Sequence, residues 1–206
     1  MGSGGIDLDI SDSSRTYTEA EEHRLTENLV SLLGNVHGGA YSSRTLCLEL
    51  VCELHEQIFT GVRDFAGQYR SKGRGSERLR FGQNWSETRD RVQELMEISL
   101  RRAQVDRGEL LQGPPNARLR RGFELAVLLH AEVVRIHPFE DGNGRTSRAL
   151  LSVVLMSLGI PPMPAEIPKQ EYIDCLNVYH TTRSIDLLRD LLLAAHPLCN
   201  QAPGQP

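Results

Sequence analysis

Residues 137–148 hold most of the side chains in this chain that could do chemistry. The stretch reads His-Pro-Phe-Glu-Asp-Gly-Asn-Gly-Arg-Thr-Ser-Arg. Asp-Gly and Asn-Gly pairs readily take positive φ angles, so neighbouring backbone amides can converge at the start of the next helix and bind phosphate oxygens. Arg145 and Arg148 lie three residues apart, and their guanidinium groups therefore share one helix face. This pattern predicts a site for the phosphates of a nucleoside triphosphate.

An acid and a histidine in the same stretch add two further roles. Asp141 can hold Mg²⁺ against the phosphates, because this ion commonly takes one or two carboxylates together with phosphate oxygens and water. A histidine has an unperturbed pKa of about 6.5, so His137 can take a proton from an incoming hydroxyl near neutral pH. Together these groups indicate transfer of a phosphorus-centred group to an alcohol.

Other interpretations of the same residues remain open. Asp-Gly and Asn-Gly pairs occur in ordinary turns, and a histidine before proline is commonly structural. His130 lies seven residues before His137 and, with Asp141, raises the alternative of a metal hydrolase. That spacing lacks the i, i+4 pairing of helical zinc ligands.

The composition favours one globular domain in the cytosol. The chain has 206 residues, 39% of them hydrophobic, and a formal charge of -4. A net negative charge argues against general nucleic-acid binding, which depends on basic side chains that contact phosphates. The four cysteines lack close pairing, which is typical of reduced thiols, and the longest apolar run, residues 149–160, is shorter than the roughly 20 residues of a membrane span. We expect neither nucleic acid nor membrane as a partner, and a cytoplasmic location or delivery into a host cytosol.

Apolar residues at helical spacing predict an all-α fold with at most one small hairpin. Thr18 and Glu21 form a capping box for a first helix that ends at Gly34, and Ser43 caps a second. Further helices are expected over 87–103, from 117 to the motif, and over 145–158, 169–179 and 184–195. Leu79 and Phe81 alternate with basic residues, which indicates the hairpin.

The same stretch also resembles a known family. Residues 137–148 match the Fic motif, His-Pro-Phe-x-Asp/Glu-Gly-Asn-Gly-Arg-x-x-Arg, at every fixed position. The resemblance extends to His55-x-x-Ile58-Phe59, to the Phe-Ala-Gly-Gln-Tyr-Arg of residues 65–70, and to residues 171–177, and so covers roughly 43–195. It implies a Fic-type helical bundle with a small β-hairpin flap.

The resemblance implies a protein adenylyltransferase, a nucleotidyltransferase that moves AMP from ATP to a Ser, Thr or Tyr hydroxyl of a target protein and releases pyrophosphate. Self-modification is a further expectation. His137 would be the catalytic base and Asp141 the Mg²⁺ ligand. The residues implied to bind the nucleotide phosphates are Gly142, Asn143, Gly144, Arg145 and Arg148.

Two other segments acquire roles only through the resemblance. Residues 73–82 would form the flap, where Leu79, Arg80 and Phe81 bind an extended segment of the target protein as an added strand. Tyr172 and Asn177 would bind the nucleoside. An aromatic at helical spacing is commonly a core residue, so packing is the alternative for Tyr172.

The N-terminal helix is similar to the inhibitory helix of many Fic proteins. Its motif is Ser/Thr-x-x-x-Glu-Gly/Asn, whose glutamate pairs with the second arginine of the Fic motif and blocks the γ-phosphate. Glu27 and Asn28 match, but His23 stands where Ser or Thr is expected. Glu27 is therefore a candidate inhibitory residue acting on Arg148. An antitoxin-like inhibitor chain is the alternative source of restraint.

The chain accordingly divides into four parts: a flexible arm at 1–17, an N-terminal helix at 18–42, a Fic catalytic core at 43–196 and a frayed tail at 197–206. A Fic-fold transferase of UMP, GMP, phosphocholine or a phosphoryl group is an alternative function, as is a non-catalytic interaction module that uses the flap or the stripe Leu25, Leu29 and Leu32. Intact Gly142 and Gly144 argue against the phosphorylating relative, which has alanine and lysine in this cradle.

Overall fold

A computed structural model of the protein describes residues 17–70, 77–163 and 167–196. Within these ranges the order of elements is α1 Glu19–His37, α2 Leu48–Phe59, β1 Arg80–Phe81, β2 Asn84–Trp85, α3 Val92–Gln112, α4 Pro115–Ile136, α5 Asn143–Ser157, α6 Lys169–Thr182 and α7 Asp186–Ala195. The predicted all-α fold with one small hairpin is confirmed. The tail, most of the predicted arm and the first part of the predicted flap lie outside the described residues.

Helices α4 and α5 form the centre of the fold. α4 packs against α3, α5, α6 and α7, while α1 and α2 pack against each other and against α5. α5 is apolar on nearly all sides, and the side chains of Leu150, Val153 and Leu155 have no exposed surface. The predicted central buried helix is confirmed, and the Fic-like stretch comprises the loop that joins α4 to α5 and the first turns of α5.

The hairpin lies beside this loop. β1 and β2 are antiparallel, with Arg80 opposite Trp85 and Phe81 opposite Asn84. Phe81 is buried while Arg80 is exposed, so the alternation seen in the sequence places one face of the hairpin on the core.

Several helix boundaries differ from the prediction. The capping box at Thr18 is present, but α1 continues through Gly34 to His37, because Leu32 and Val36 are buried on either side and outweigh the cost of about 1 kcal/mol of a glycine inside a helix. Ser43 does not cap α2, which begins after Cys47. α3 begins later and runs to Gln112. No helix within the described ranges is long and apolar enough to cross a membrane.

A close contact between α4 and the end of α5 depends on Gly122. A Cβ atom at this position would lie 2.8 Å from Leu158 Cδ1 and 3.2 Å from Ile160 Cδ1, whereas a Cβ at Gly108 on α3 would meet nothing within 4 Å. The two glycines therefore form a matched pair of helical positions, one crowded and one open.

We predict that Gly122→Ala has a free energy of unfolding about 1 to 3 kcal/mol below that of Gly108→Ala, because both changes raise helix propensity but only the first overpacks a contact. Gly108→Ala itself should raise the free energy of unfolding by about 0.5 to 1 kcal/mol through higher helix propensity. Urea denaturation of both variants measures these changes. A Gly122→Ala variant as stable as Gly108→Ala would contradict the packing described here.

Candidate active site

Two left-handed residues shape the loop between α4 and α5. His137 ends α4 with φ of 57°, and Gly142 precedes α5 with φ of 74°. A Cβ at Gly142 would lie 2.0 Å from Phe59 Cε2, so only glycine fits there. A histidine at positive φ costs about 1 to 3 kcal/mol and persists only where neighbouring contacts hold it.

Arg70 supplies those contacts. Its Nε donates to the His137 carbonyl at 2.6 Å and its Nη2 to the Ile136 carbonyl at 3.2 Å, while its backbone N–H donates to the Pro138 carbonyl at 2.9 Å. Burial lowers the pKa of Arg70 to about 10, so the group stays charged at neutral pH. The last carbonyls of α4 are thereby paired with a cation, the charge that a helix C-terminus favours.

His137 is buried and faces the hairpin. Its Nδ1 lies 3.3 Å from the Val134 carbonyl, which can only accept, so Nδ1 carries the proton and Nε2 the lone pair. Its ring stacks on Phe81 with centroids 4.3 Å apart. Burial lowers the pKa of His137 to about 3, and the imidazole is therefore neutral at pH 7. A neutral histidine with a free Nε2 lone pair can act as a base.

Asn143 has a structural role that the sequence did not indicate. Its Oδ1 accepts from the Phe139 N–H at 2.8 Å, and its Nδ2 donates to the Phe139 carbonyl at 3.0 Å. Both polar atoms of the Asn143 side chain therefore bond the backbone of the loop and fix its shape. The predicted phosphate cradle then consists of backbone N–H groups at the start of α5, where the helix has unpaired donors.

Asp141 is held from behind by His55. The Gly67 N–H donates to His55 Nδ1 at 2.9 Å, so the ring proton is on Nε2, which donates to the Asp141 carbonyl at 3.1 Å. His55 is fully buried and stacks on Phe139 with centroids 3.8 Å apart. Burial lowers the pKa of His55 to about 4, and the bond from Gly67 requires this neutral form, because a protonated Nδ1 cannot accept.

The Asp141 carboxylate suits a Mg²⁺ ion shared with phosphates. It is buried, and the Gly142 N–H donates to its Oδ1 at 2.7 Å, which orients it at the start of α5. One carboxylate is enough for Mg²⁺ when phosphate oxygens and water complete the shell. The described residues contain no group of three or more His, Cys, Asp or Glu side chains arranged around a metal, which argues against the metal-hydrolase alternative.

The two arginines of the stretch lie on α5 with different surroundings. Nε and Nη2 of Arg148 are buried and have no hydrogen-bond partner among the described residues. Its guanidinium lies 6.0 Å from the Tyr172 ring centroid. Arg145 donates to the Tyr17 hydroxyl at 3.3 Å. Buried charged donors without partners are costly, so Arg148 suits an anionic ligand such as phosphate.

Tyr172 and Asn177, the two residues predicted to bind the nucleoside, each bond another side chain of the protein. Tyr172 is buried, and its hydroxyl bonds His130 Nε2 at 2.7 Å, an arrangement that fits the packing alternative. Asn177 accepts from Asn84 Nδ2 at 2.6 Å. This bond links the hairpin, which is predicted to bind the target protein, to α6, which is predicted to bind the nucleoside.

Glu27 does not reach the site. Its side chain is 58% exposed and lies 3.6 Å from His23 and 3.9 Å from Arg24 on the same helix. Successive residues of a helix are about 100° apart, so the burial of Leu25 and Leu32 turns Glu27 to the opposite face. The structure thus brings together His137, Asp141 and the two arginines, and leaves Glu27 apart from Arg148.

Tyr17 and Arg63 belong to the site although the sequence gave no role to either. The Tyr17 hydroxyl donates to Asp141 Oδ2, and Arg63 Nε lies 3.9 Å from the same oxygen. The sequence predicts a loose arm that includes Tyr17, and that prediction is wrong for this residue. The position of Tyr17 directly before the capping box is the signal for its fixed placement, because a capped helix start also fixes the residue next to it.

Comparison with known proteins identifies the family of this site. Residues 45–155, more than half of the chain, match the model of the Fic/DOC family. This chain belongs to the Fic/DOC family. The segment from His137 to Arg148, a loop and the start of α5, is therefore its Fic motif, and the resemblance drawn from the sequence is confirmed.

Curated Fic relatives match this chain over short segments. It is 56% identical over 46 residues to "Protein adenylyltransferase Fic" of Drosophila melanogaster, a match that covers 22% of this chain and 9% of that protein. It is 46% identical over 56 residues to the protein of the same name from Nematostella vectensis, covering 27% and 13%. The match thus spans only about a tenth of the length of these relatives.

Solved Fic structures match nearly the whole chain. The N-terminal Fic domain of Bep8 from Bartonella sp. 1-1C has a TM-score of 0.72 at 14% identity and covers 94% of this chain and 93% of its own. A Fic domain signaling protein from Bacteroides thetaiotaomicron has a TM-score of 0.64 at 21% identity, covering 88% and 72%. BepC of Bartonella tribocorum with bound AMPPNP has a TM-score of 0.60 at 13% identity, covering 85% and 86%. These likenesses show the Fic fold.

The buried His55 beneath the Fic motif makes stability depend on pH. Its pKa in the folded chain, about 4, lies below the unfolded value of about 6.5. As the pH falls through this window, the unfolded chain binds the proton first. The free energy of unfolding therefore decreases by roughly 3 kcal/mol from this group alone, since each pKa unit is worth about 1.4 kcal/mol.

We predict that His55→Gln makes this loss shallower, because an amide can accept from Gly67 and donate to Asp141 without titrating. Denaturation from pH 7 to pH 4 measures the slope. His37→Gln, at an exposed position of α1, is the control and should keep the slope of the unchanged protein. A His55→Gln slope as steep as that of the control would contradict the assignment.

Proposed function

We propose that this Fic protein transfers AMP from ATP to the hydroxyl of a Ser, Thr or Tyr side chain on a target protein. The supporting observation is the position of His137, a buried neutral base, on the same loop as the start of α5 and its two arginines. The names of the curated relatives and the AMPPNP bound to BepC support ATP as the substrate.

In the proposed reaction His137 Nε2 takes the proton of the target hydroxyl. The hydroxyl oxygen forms a bond to the α-phosphorus of ATP, the bond between this phosphorus and the bridging oxygen breaks, and pyrophosphate leaves with the electron pair. The backbone N–H groups at the start of α5 hold the α-phosphate, and Arg145 and Arg148 hold the departing β- and γ-phosphates. Mg²⁺ at Asp141 would supply charge neutralisation for these phosphates.

The low pKa of His137 fits this sequence of events. In the described protein the imidazole is neutral because burial disfavours its charged form. A bound nucleotide brings negative charge near the ring, and negative charge raises the pKa of a histidine. The pKa of His137 therefore rises when the nucleotide binds, towards the range in which general bases work best.

The hairpin is the proposed binding site for the target protein. Phe81 covers the His137 ring from β1, and Arg80 on the same strand is exposed. A target segment that adds to the hairpin as a strand would bring its hydroxyl beside His137 through backbone hydrogen bonds. The Asn84–Asn177 bond holds the hairpin against α6 for this purpose. The cytosol of its own cell or of a host cell is the proposed place of action.

We predict that His137→Ala lowers AMP transfer by about 10²- to 10⁴-fold, because that is the usual contribution of a general base. The rate is measured with labelled ATP on the protein itself and on proteins of a cell lysate, and mass spectrometry identifies the modified hydroxyl. UTP and GTP, tested in parallel, should give no transfer.

The control for this experiment is His37→Ala, a histidine change at an exposed position far along α1 from the Fic motif. It should transfer AMP at the rate of the unchanged protein. Undiminished transfer by His137→Ala would exclude His137 as the base. Efficient transfer from UTP in place of ATP would leave the mechanism intact but replace the substrate.

A further inference from the structure

Tyr17 closes the part of the site that the phosphates and Mg²⁺ need. Its hydroxyl donates to Asp141 Oδ2 and accepts from Arg145 Nη1 at 3.3 Å. Its ring lies 4.4 Å from the Arg63 guanidinium carbon and 5.4 Å from that of Arg145. One aromatic side chain thus contacts a proposed metal ligand and a proposed phosphate ligand at once.

The start of α1 fixes Tyr17 in this position. Thr18 and Glu21 form the capping box that begins the helix one residue later. Glu21 also pairs with Arg63 at 2.6 Å, and the Glu21 and Arg63 side chains are only 29% and 14% exposed. A partly buried ion pair and a helix cap therefore both hold the backbone that carries Tyr17.

The contacts of Tyr17 compete with those that a nucleotide and its Mg²⁺ ion would make. Asp141 Oδ1 accepts from the Gly142 N–H and Oδ2 accepts from Tyr17, so both carboxylate oxygens are engaged. A Mg²⁺ ion on Oδ2 and a phosphate on Arg145 Nη1 would each compete with the Tyr17 hydroxyl for the same atom.

We propose that Tyr17 is a gate on this Fic site, closed while the first turn of α1 is docked and opened when Tyr17 withdraws. The inference rests on the proposed function for its biological meaning, but the gate itself acts on any ligand that combines Mg²⁺ with several phosphates. It differs from restraint by Glu27, because Tyr17 acts at Asp141 and Arg145 and not at Arg148.

The gate has a measurable consequence for affinity. A ligand that binds only the open form has its apparent affinity reduced by the fraction of molecules that are open. If the open form is about 1 to 10% of the population, a typical share for a minor state, removal of the gate strengthens binding about 10- to 100-fold.

The test measures binding of inorganic tripolyphosphate with Mg²⁺ to the full chain by titration calorimetry. We expect Tyr17→Ala to bind about tenfold more tightly or better. Tyr17→Phe, which keeps the ring between the arginines but loses the hydroxyl, should show a smaller gain. Glu21→Gln, which weakens the pair with Arg63, should change affinity in the same direction. Thermal melts confirm that each variant is folded.

Glu27→Gln is the matched control, since it makes the same acid-to-amide change on an outward face of the same helix. It should bind as the unchanged protein does. Equal affinity in all forms, or no binding by any of them, would overturn the gate. A gain confined to Glu27→Gln would overturn it in favour of the glutamate.

AMP transfer from labelled ATP, measured on the same proteins, separates the two proposals. Tighter tripolyphosphate binding by Tyr17→Ala without any AMP transfer would support the gate and contradict the proposed function. Transfer at equal rates and equal affinities in the unchanged protein and Tyr17→Ala would support the function and contradict the gate.

Discussion

The active loop depends on one buried arginine at the end of α4. Arg70 pairs with consecutive carbonyls from Ile136 to Pro138, and these are the groups that an ending helix leaves without partners. With them satisfied, His137 can take a left-handed conformation that a histidine otherwise avoids. The direction of its ring, and hence of the Nε2 lone pair, follows from this clamp. A distant segment of the chain thereby sets the geometry of the base.

Burial then determines the chemistry of the loop. His55 and His137 both lie where a charged imidazole is disfavoured. Both ring nitrogens of His55 bond backbone groups, whereas His137 bonds the backbone through Nδ1. His55 uses its neutral form to hold the Asp141 backbone, whereas His137 keeps a lone pair for the substrate. Arg148 is instead a cation whose buried Nε and Nη2 have no hydrogen-bond partner among the described residues, which suits an anionic ligand. The site therefore combines a neutral base with a cationic pocket.

Periodicity and turn chemistry in the sequence predicted the helices and the hairpin, and the resemblance of residues 137–148 to a known family identified the Fic motif, because each depends on residues close together in the chain. Contacts across the chain could not be predicted in this way. Tyr17 and Asp141 are 124 residues apart, and the polar residues around Tyr17 suggested a loose arm. The stripe of Leu25, Leu29 and Leu32 indicates the inner face of α1, and Glu27 lies on its outer face. The inhibitory role implied for Glu27 by the resemblance stays a prediction.

Transfer of the AMP moiety, with ATP cleaved between the α- and β-phosphates, is the central claim. The most direct measurement compares ATP labelled at the α-phosphorus with ATP labelled at the γ-phosphorus, under the same conditions. The account predicts that the α-label becomes covalently attached to protein and that the γ-label is released as pyrophosphate. Attachment of the γ-label, or of neither label, would contradict it.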